Sequence, residues 1–307
     1  YDLSGSKKPV KRLWISSLED SAILDGMQHL RSAEEYRHLA EAAVCRSQAD
    51  WLVGMNATRA YTTKYFKKLT VGRVQTPTLA MLVERAGQIS NFQKEKYFNV
   101  ELDCDGIPAV KPKIFDPDEA EQLRSRCQGS EAIVTAVKET EKKVKAPKLY
   151  DLTTLQREAN RIYGMTAKQT LDTAQSLYEK KLITYPRTDS QYLTEDMEQT
   201  ARNVVRQIYE KYQLTGPFDQ PEQPDVKKVM NNSKVTDHHA IIPTMELASS
   251  HLDELKSWEE KILFLIAVHT VMAMSKDHIY QETEIEVECQ EEIFKAKGKI
   301  VLQDGWK

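Results

Sequence analysis

Apolar and polar positions repeat with two different periods along this chain, and the changes of period divide it. Up to residue 93 the spacing is helical. "SAEEYRHLAEAAV" opens on Ser32 with Glu35 three residues later, a capping box, and Tyr36, Leu39, Ala43 and Val44 follow on one face. "TPTLAMLVERAGQI" predicts a second helix with Pro77 in its first turn, where proline is tolerated. From Lys96 the period shortens to two. "YFNVELDCDG" alternates and ends in the Asp105-Gly106 turn signal, and "AIVTAVKETEKKV" reads as another strand, broken by Ala146-Pro147.

Residues 148–210 return to helical spacing, with Thr166 and Gln169 boxing the start of "AKQTLDTAQSLYEKK". "TGPFDQPEQPD", residues 215–225, holds three prolines and a glycine and predicts a loop. Ser257 with Glu260 is expected to cap the apolar helix "WEEKILFLIAVHTVMAM". After Lys276 alternation resumes in "ETEIEVEC" and "IFKAKGKIVLQDGW". Strand character therefore flanks a helical insert, which predicts one β unit whose chain leaves, builds a helical domain and returns. Motion between such parts is the default expectation. The fold class is multidomain, mainly α with a smaller β part.

Composition narrows the class. At 307 residues the chain is long for one domain. With 40% hydrophobic and 29% charged residues it is globular rather than disordered. A net charge of −3 excludes a uniformly basic nucleic-acid binder, so charge must be read locally. Cys45, Cys104, Cys127 and Cys289 are scattered without a C-x-x-C pair, which favours free thiols over a zinc ribbon or a disulfide framework. Ile262–Met274, the longest apolar run, is too short and too interrupted to span a membrane. The chain opens on Tyr1 and closes in a strand-like pattern at Lys307, and so reads as a piece of a longer protein.

Four stretches could carry chemistry. Between Asp50 and Glu84 there is no acidic residue, while Arg59, Lys64, Lys67, Lys68 and Arg73 interleave with Tyr61, Tyr65 and Phe66. Cations attract phosphates and aromatic faces stack bases; a solvated helix face is the plainer reading. In "VGRVQTP", Arg73 can fork onto a phosphate and Gln75 can reach a base edge or sugar, at a helix start whose N–H groups favour an anion. In "TYPRTDS", Tyr185 is a nucleophile only if its phenolate is stabilised, and Arg187 carries the charge to do so. Asp189 could orient Arg187 or accept backbone bonds; the plainer reading is a helix-ending turn with a packed tyrosine. In "DHHAIIPT", His238 or His239 could bond a phosphate or shuttle a proton. Adjacent side chains on an extended segment face opposite ways, so the two would not share one metal. No glycine-rich phosphate loop, Ser-His-Asp set or clustered carboxylates stand out.

In this order the stretches resemble the type IA DNA topoisomerases, and the topoisomerase III branch most closely. The matching blocks are "PVKRLWISSLEDSAI", "RSQADWLVGMNATRA", "VGRVQTPTLAML", "LYDLTTLQREANRIYGMTAKQTLDTAQSLYEKKLITYPRTDS" and "DHHAIIPT", and "GKIVLQDGW" also fits. They cover nearly the whole chain. Thr166 stands where serine is common, and Met55 where related enzymes carry an aromatic.

The resemblance implies an ATP-independent isomerase that breaks single-stranded DNA, passes a strand and reseals the break. Tyr185 matches the nucleophile, forming a 5′-phosphotyrosine, and Arg187 the arginine that holds the scissile phosphate. His238, five residues before Pro243, matches the active-site histidine better than His239. Arg46, Asp50, Arg59, Arg73 and Gln75 fall in motifs lining the single-strand groove, and Asp189 and Ser190 join them as DNA-binding candidates. The implied fold is part of a torus: residues 1–93 a partial groove domain, 94–146 and 276–307 a partial β hinge, 147–275 the helical domain carrying the tyrosine. Mg²⁺ is the implied cofactor, bound by a Toprim domain that nothing in this chain matches, so the chain alone is expected to bind DNA without cleaving it. Single-stranded or underwound DNA is the expected partner and a helicase a candidate one, in a bacterial cytoplasm at the nucleoid, with no membrane. A non-catalytic single-stranded DNA-binding module is the alternative. A tyrosine recombinase fits less well, because the histidine here follows the tyrosine.

Overall fold

The computed structural model describes residues 5–15, 20–214, 224–235 and 237–307. Most of the proline-rich loop expected at 215–225 lies outside the described residues. The chain divides into two compact units, Tyr1–Trp14 with Gly26–Tyr97 and Ile15–Asp25 with Phe98–Lys307.

In the first unit, β1 (Lys11–Arg12) pairs antiparallel with β2 (Arg31–Ser32); α1 (Asp20–Gln28), between them in the chain, falls mostly in the second unit. Ser32 and Glu35 form their capping box on a short 3-10 turn, Ala33–Tyr36, which leads into α2 (Arg37–Tyr65). Phe66 ends α2 in the left-handed region, φ 51°, and is 95% exposed. The returning loop is tied to α2 by two threonine hydroxyls: Thr62 accepts from the Leu69 N–H at 3.2 Å, and Thr58 from the Val71 N–H at 3.0 Å. α3 (Gln75–Ser90) follows.

The second unit is built on a five-stranded antiparallel sheet. β3 (Phe98–Cys104) and β4 (Ile107–Ile114) form a hairpin whose turn puts Asp105 at φ 52° and Gly106 at φ 88°, as a two-residue primed turn needs. α4 (Pro117–Cys127) starts on an Asp116 cap. β5 (Ile133–Val144), β6 (His278–Cys289) and β7 (Glu292–Gln303) complete the sheet in the order β3-β4-β7-β6-β5. Val100, Ala109, Leu123, Cys127, Val287 and Phe294 form its core. Cys127 and Cys289 are buried free thiols, and burial pushes Cys127 up to about 11.

Between β5 and β6 the chain builds a helical block: α5 (Leu152–Tyr163), α6 (Ala167–Glu179), α7 (Glu198–Tyr212) and α8 (Ser257–Ala273). Asp151 caps α5, the Thr166–Gln169 box caps α6, and Gly164 ends α5 at φ 68°. α8 is buried on most sides, with Ile262, Leu263, Ile266, Ala267 and Val271 against Leu155, Leu177 and Ile208 in one core. Its cap differs from the sequence expectation. The helix begins at Ser257, so Lys256 is the cap residue, and Glu259 rather than Glu260 accepts its N–H at 2.9 Å.

Glu259 does more than cap. It also accepts from the Ser176 hydroxyl at 2.7 Å and from Lys180 Nζ at 2.7 Å, joining the start of α8 to the end of α6. Burial alone would raise its pKa. The bonds from Lys180, Ser176 and the Lys256 N–H outweigh that and hold it at about 2. A second carboxylate, Asp277, joins the sheet to the block. It accepts from the Ala146 N–H at 3.1 Å and Lys228 Nζ at 3.1 Å, and Lys143 Nζ lies 3.2 Å away.

Because the folded pKa of Glu259 lies below its unfolded value, its contribution is present above pH ~4.5 and is lost as pH falls toward about 2. Glu259→Gln is expected to lower unfolding free energy by roughly 2–3 kcal/mol at pH 7 and to flatten the acid limb of the stability curve. Urea melts of both proteins between pH 2 and 7 check it; parallel acid limbs would show that the carboxylate contributes nothing.

Candidate active site

The sequence-predicted residues fall into two sets, one in each unit. In the second unit the loop after α6 carries Tyr185. Lys181 breaks the helix at φ 60°, and Leu182–Thr184 then runs antiparallel to Ile242–Thr244. Thr184 N–H donates to Ile242 O at 3.0 Å, and Thr244 N–H donates to Leu182 O at 3.0 Å. The Thr184 hydroxyl donates to Ala240 O at 3.0 Å while accepting from the Ile242 N–H at 3.0 Å. Beyond the tyrosine, Thr188 donates its hydroxyl to His238 O at 2.9 Å, and its own carbonyl accepts from the Leu152 N–H at 3.0 Å. Two threonines thus fasten the tyrosine loop to the histidine segment on either side of Tyr185.

The result is a compact ring cluster. Tyr185, half-buried, meets Tyr178 of α6 edge-on at 5.3 Å and lies tilted against the imidazole of His238 at 4.4 Å between centroids. Pro186 is buried beneath it. The Tyr185 hydroxyl has no hydrogen-bond partner among the described residues, and it is not sealed from solvent. Arg187 is exposed and likewise makes no ion pair or hydrogen bond among the described residues. A hydroxyl and a guanidinium, both uncommitted on one short loop, have the chemistry to bind a phosphate.

His238 and His239 divide as extended neighbours do. His239 turns inward, and its Nδ1 lies 2.9 Å from Ala240 O, so that nitrogen carries the proton. The protein packed around it pushes its pKa below the usual histidine range. Asp189 is exposed; Ser190 is buried, with its hydroxyl donating to Lys234 O at 2.9 Å and accepting from the Tyr192 N–H at 3.2 Å. Ser190 therefore shapes the loop from inside, and its hydroxyl is not presented to a ligand.

In the first unit, Asp50 and Arg73 form an ion pair through Arg73 Nε. The Arg73 hydrogen bond, with Arg46 charge behind it, holds the Asp50 carboxyl below its usual range. Arg73 is thereby aimed by Asp50, an arrangement brought about by the Thr58 and Thr62 bonds to the loop. Arg59 stands on the same helix, and Tyr61 and Tyr65 stack at 6.1 Å with Lys64 over Tyr65 at 5.7 Å. Gln75 is the first residue of α3. The helix start offers an anion less than its sequence suggests. Thr76 N–H is spent on Gly72 O at 3.2 Å, Thr78 N–H on Val74 O at 3.1 Å, and Pro77 has none.

A family model described as DNA topoisomerase matches residues 34–307. The chain belongs to this DNA topoisomerase family. DNA topoisomerase 3 of Bacillus subtilis (strain 168) is 42% identical over 98% of this chain, and that of Staphylococcus epidermidis is 41% identical over the whole of this chain. The chain spans 42% and 44% of these two relatives. Among solved structures it is similar to full-length topoisomerase I from Thermotoga maritima, with a TM-score of 0.71 and 25% identity over 96% of this chain and 49% of that one. Relatives in this family of isomerases accord with the type IA, topoisomerase III resemblance of the sequence blocks.

Sequence reading missed Thr184 and Thr188, which set the geometry around Tyr185. Their positions immediately before Tyr185 and three residues after it were visible, but their partners lie some fifty residues on. Thr184→Val removes a hydroxyl and leaves Ala240 O and the Ile242 N–H without it. A loss of about 1–3 kcal/mol in unfolding free energy is expected from thermal or urea melts. A neutral result would mean that the two backbone groups find other partners.

Proposed function

We propose that this chain supplies the nucleophile and part of the strand-binding groove of a topoisomerase that cuts and reseals single-stranded DNA. The observation that carries the reading is the free Tyr185 hydroxyl beside the His238 ring, with the uncommitted Arg187 two residues on. In this reading the Tyr185 oxygen attacks a backbone phosphorus. The tyrosine O–H gives up its proton as a P–O(Tyr) bond forms, the P–O3′ bond breaks, and the departing 3′ oxygen takes up one proton to become a hydroxyl, so that no net proton is consumed. The strand stays attached through its 5′ phosphate, and attack by the same 3′ hydroxyl reverses the step and frees the tyrosine. Since one phosphoester is exchanged for another, the cycle needs no ATP. Arg187 holds the phosphate and favours the phenolate, both by placing fixed positive charge where negative charge develops. His238 packs the tyrosine from the other side and offers the phosphate a hydrogen bond.

Arg46, Asp50, Arg59, Arg73 and Gln75 form the groove set, with Asp50 orienting Arg73 and Tyr61 and Tyr65 giving bases a face to stack on. The corresponding division is a groove region over 1–93, a β hinge over 94–146 and 276–307, and the tyrosine domain over 147–275, as parts of a torus. Underwound or single-stranded DNA is the substrate and a helicase a candidate partner. Among the described residues no three His, Cys, Asp or Glu side chains cluster so as to hold a metal ion. These residues do not fit a magnesium site, and no step is assigned to one. More than half of each curated relative lies outside the match, and we assign the metal and the proton donor for the leaving oxygen to that part of the longer protein. No described helix is long and apolar enough to cross a membrane.

In the longer protein, Tyr185→Phe is expected to retain binding to single-stranded DNA and to abolish the denaturant-stable covalent adduct, read by gel on end-labelled DNA. An adduct that survives would move the nucleophile elsewhere. The chain alone, given Mg²⁺ and the same DNA, is expected to bind without cutting. Efficient cleavage would show that it holds the complete reaction machinery.

A further inference from the structure

Seven residues after Tyr185, a second tyrosine sits beneath two lysines. Lys234 Nζ lies 4.9 Å from the Tyr192 ring centroid and 3.5 Å from its hydroxyl, and Lys148 Nζ lies 5.4 Å from the same centroid. Both lysines are exposed, Tyr192 is half-buried, and neither lysine has a carboxylate partner among the described residues. Two like charges over one ring repel each other, and the quadrupole of the ring offsets only part of that cost. An anion between them would remove it. Partial burial pushes the Tyr192 phenol up, but the contacts from Lys148 and Lys234 outweigh it and leave it below its usual range. The hydroxyl accepts from Lys234, so its own proton is free to donate outward.

The three side chains are fixed to the segments that fix Tyr185. Tyr192 O accepts from the Ala240 N–H at 2.9 Å, and Ala240 O accepts from the Thr184 hydroxyl at 3.0 Å. One residue, Ala240, is thus gripped by both tyrosine loops. The buried Ser190 hydroxyl links the Tyr192 N–H to Lys234 O. Lys148 O accepts from His269 Nε2 at 2.7 Å, two residues before Tyr150, whose carbonyl accepts from the Ile241 N–H at 2.8 Å. The segments that carry Tyr185 and the two lysines therefore belong to one hydrogen-bonded framework.

We infer that Lys148, Tyr192 and Lys234 form a second phosphate subsite, which holds the backbone of the same single DNA strand at a nucleotide away from the one Tyr185 attacks. The inference rests on the proposed role of Tyr185. Its chemistry is that of a phosphodiester: two cations and one hydroxyl proton converge, and the acceptor side of that hydroxyl is already taken by Lys234. The subsite fixes the register of the strand, so that Arg187 need not hold the scissile phosphate unaided.

The test is a salt titration of the chain binding a fluorescent oligothymidine, read by anisotropy. For K148M/K234M the slope of log affinity against log salt is expected to become shallower by ~0.7 for each phosphate no longer neutralised. Tyr192→Phe keeps the ring under the lysines and is expected to weaken binding several-fold with little change of slope. K138M/K142M, which removes two lysines from β5, is expected to leave the slope as it is and so controls for general loss of charge. Wild-type slope and affinity in K148M/K234M would overturn the subsite while leaving the Tyr185 reading in place. A wild-type chain that fails to bind the oligothymidine at low salt would overturn both.

Discussion

The geometry around Tyr185 depends on a short antiparallel pairing, Leu182–Thr184 against Ile242–Thr244, between segments about sixty residues apart. It is too short to be a sheet, and two backbone bonds alone would be a weak closure for so long a loop. The threonine side chains make up the difference. Thr184 acts on both a carbonyl and an N–H of the opposite segment, and Thr188 holds the far end of the loop to His238 O. Behind them, Ile183, Ile241 and Ile242 are fully buried in the core built around α8. Apolar burial sets the depth of the loop, and the hydroxyls set its rotation. Together they leave the phenol and the guanidinium outside.

Much of this was legible in the sequence because it is local. Period-two alternation within 97–145 and 277–307 found four of the five strands of the sheet, and missed β4, whose Pro108 and Pro112 interrupt the strand pattern. The boxes at Ser32 and Thr166 were legible because both partners lie three residues apart. What failed was the part that depends on distant partners or on a shift of one residue. Ser257 and Glu260 satisfy the capping pattern, whereas Lys256 brings no accepting side chain and only Glu259 completes its half of the box. The pull of Ser176 and Lys180 on Glu259 favours the latter, and neither lies in the local pattern. Ser190 sits in a polar motif and looks like a ligand contact until Lys234 and Tyr192 are seen to take its hydroxyl. The Lys148–Tyr192–Lys234 cluster gathers three separate segments, so no window of sequence contains it.

Charge follows the same rule. A net charge of −3 conceals an acid-free run of more than thirty residues, and the acid at its N-terminal border, Asp50, turns out to be the partner that aims Arg73. An acidic residue in the proposed groove is thus compatible with binding an anion when it spends its charge on orienting a cation. Around Tyr185 the reverse holds: Arg187 is left without an acid, so its full charge is available to a ligand.

Val144, where the chain leaves the sheet, is the register partner of His278, where it returns. Everything between these residues, the whole helical block, enters and exits at adjacent positions of one strand pair, about 5 Å apart. In mechanical terms the block is a lever on a two-strand stalk, and Asp277, with Lys143, Lys228 and the Ala146 N–H, is the collar at its base. In the proposed reaction, a strand joined to the tyrosine would pull on the sheet only through that stalk and collar. The five-stranded ladder ends where the lever begins, so a pull on the block bears first on the Val144–His278 pair.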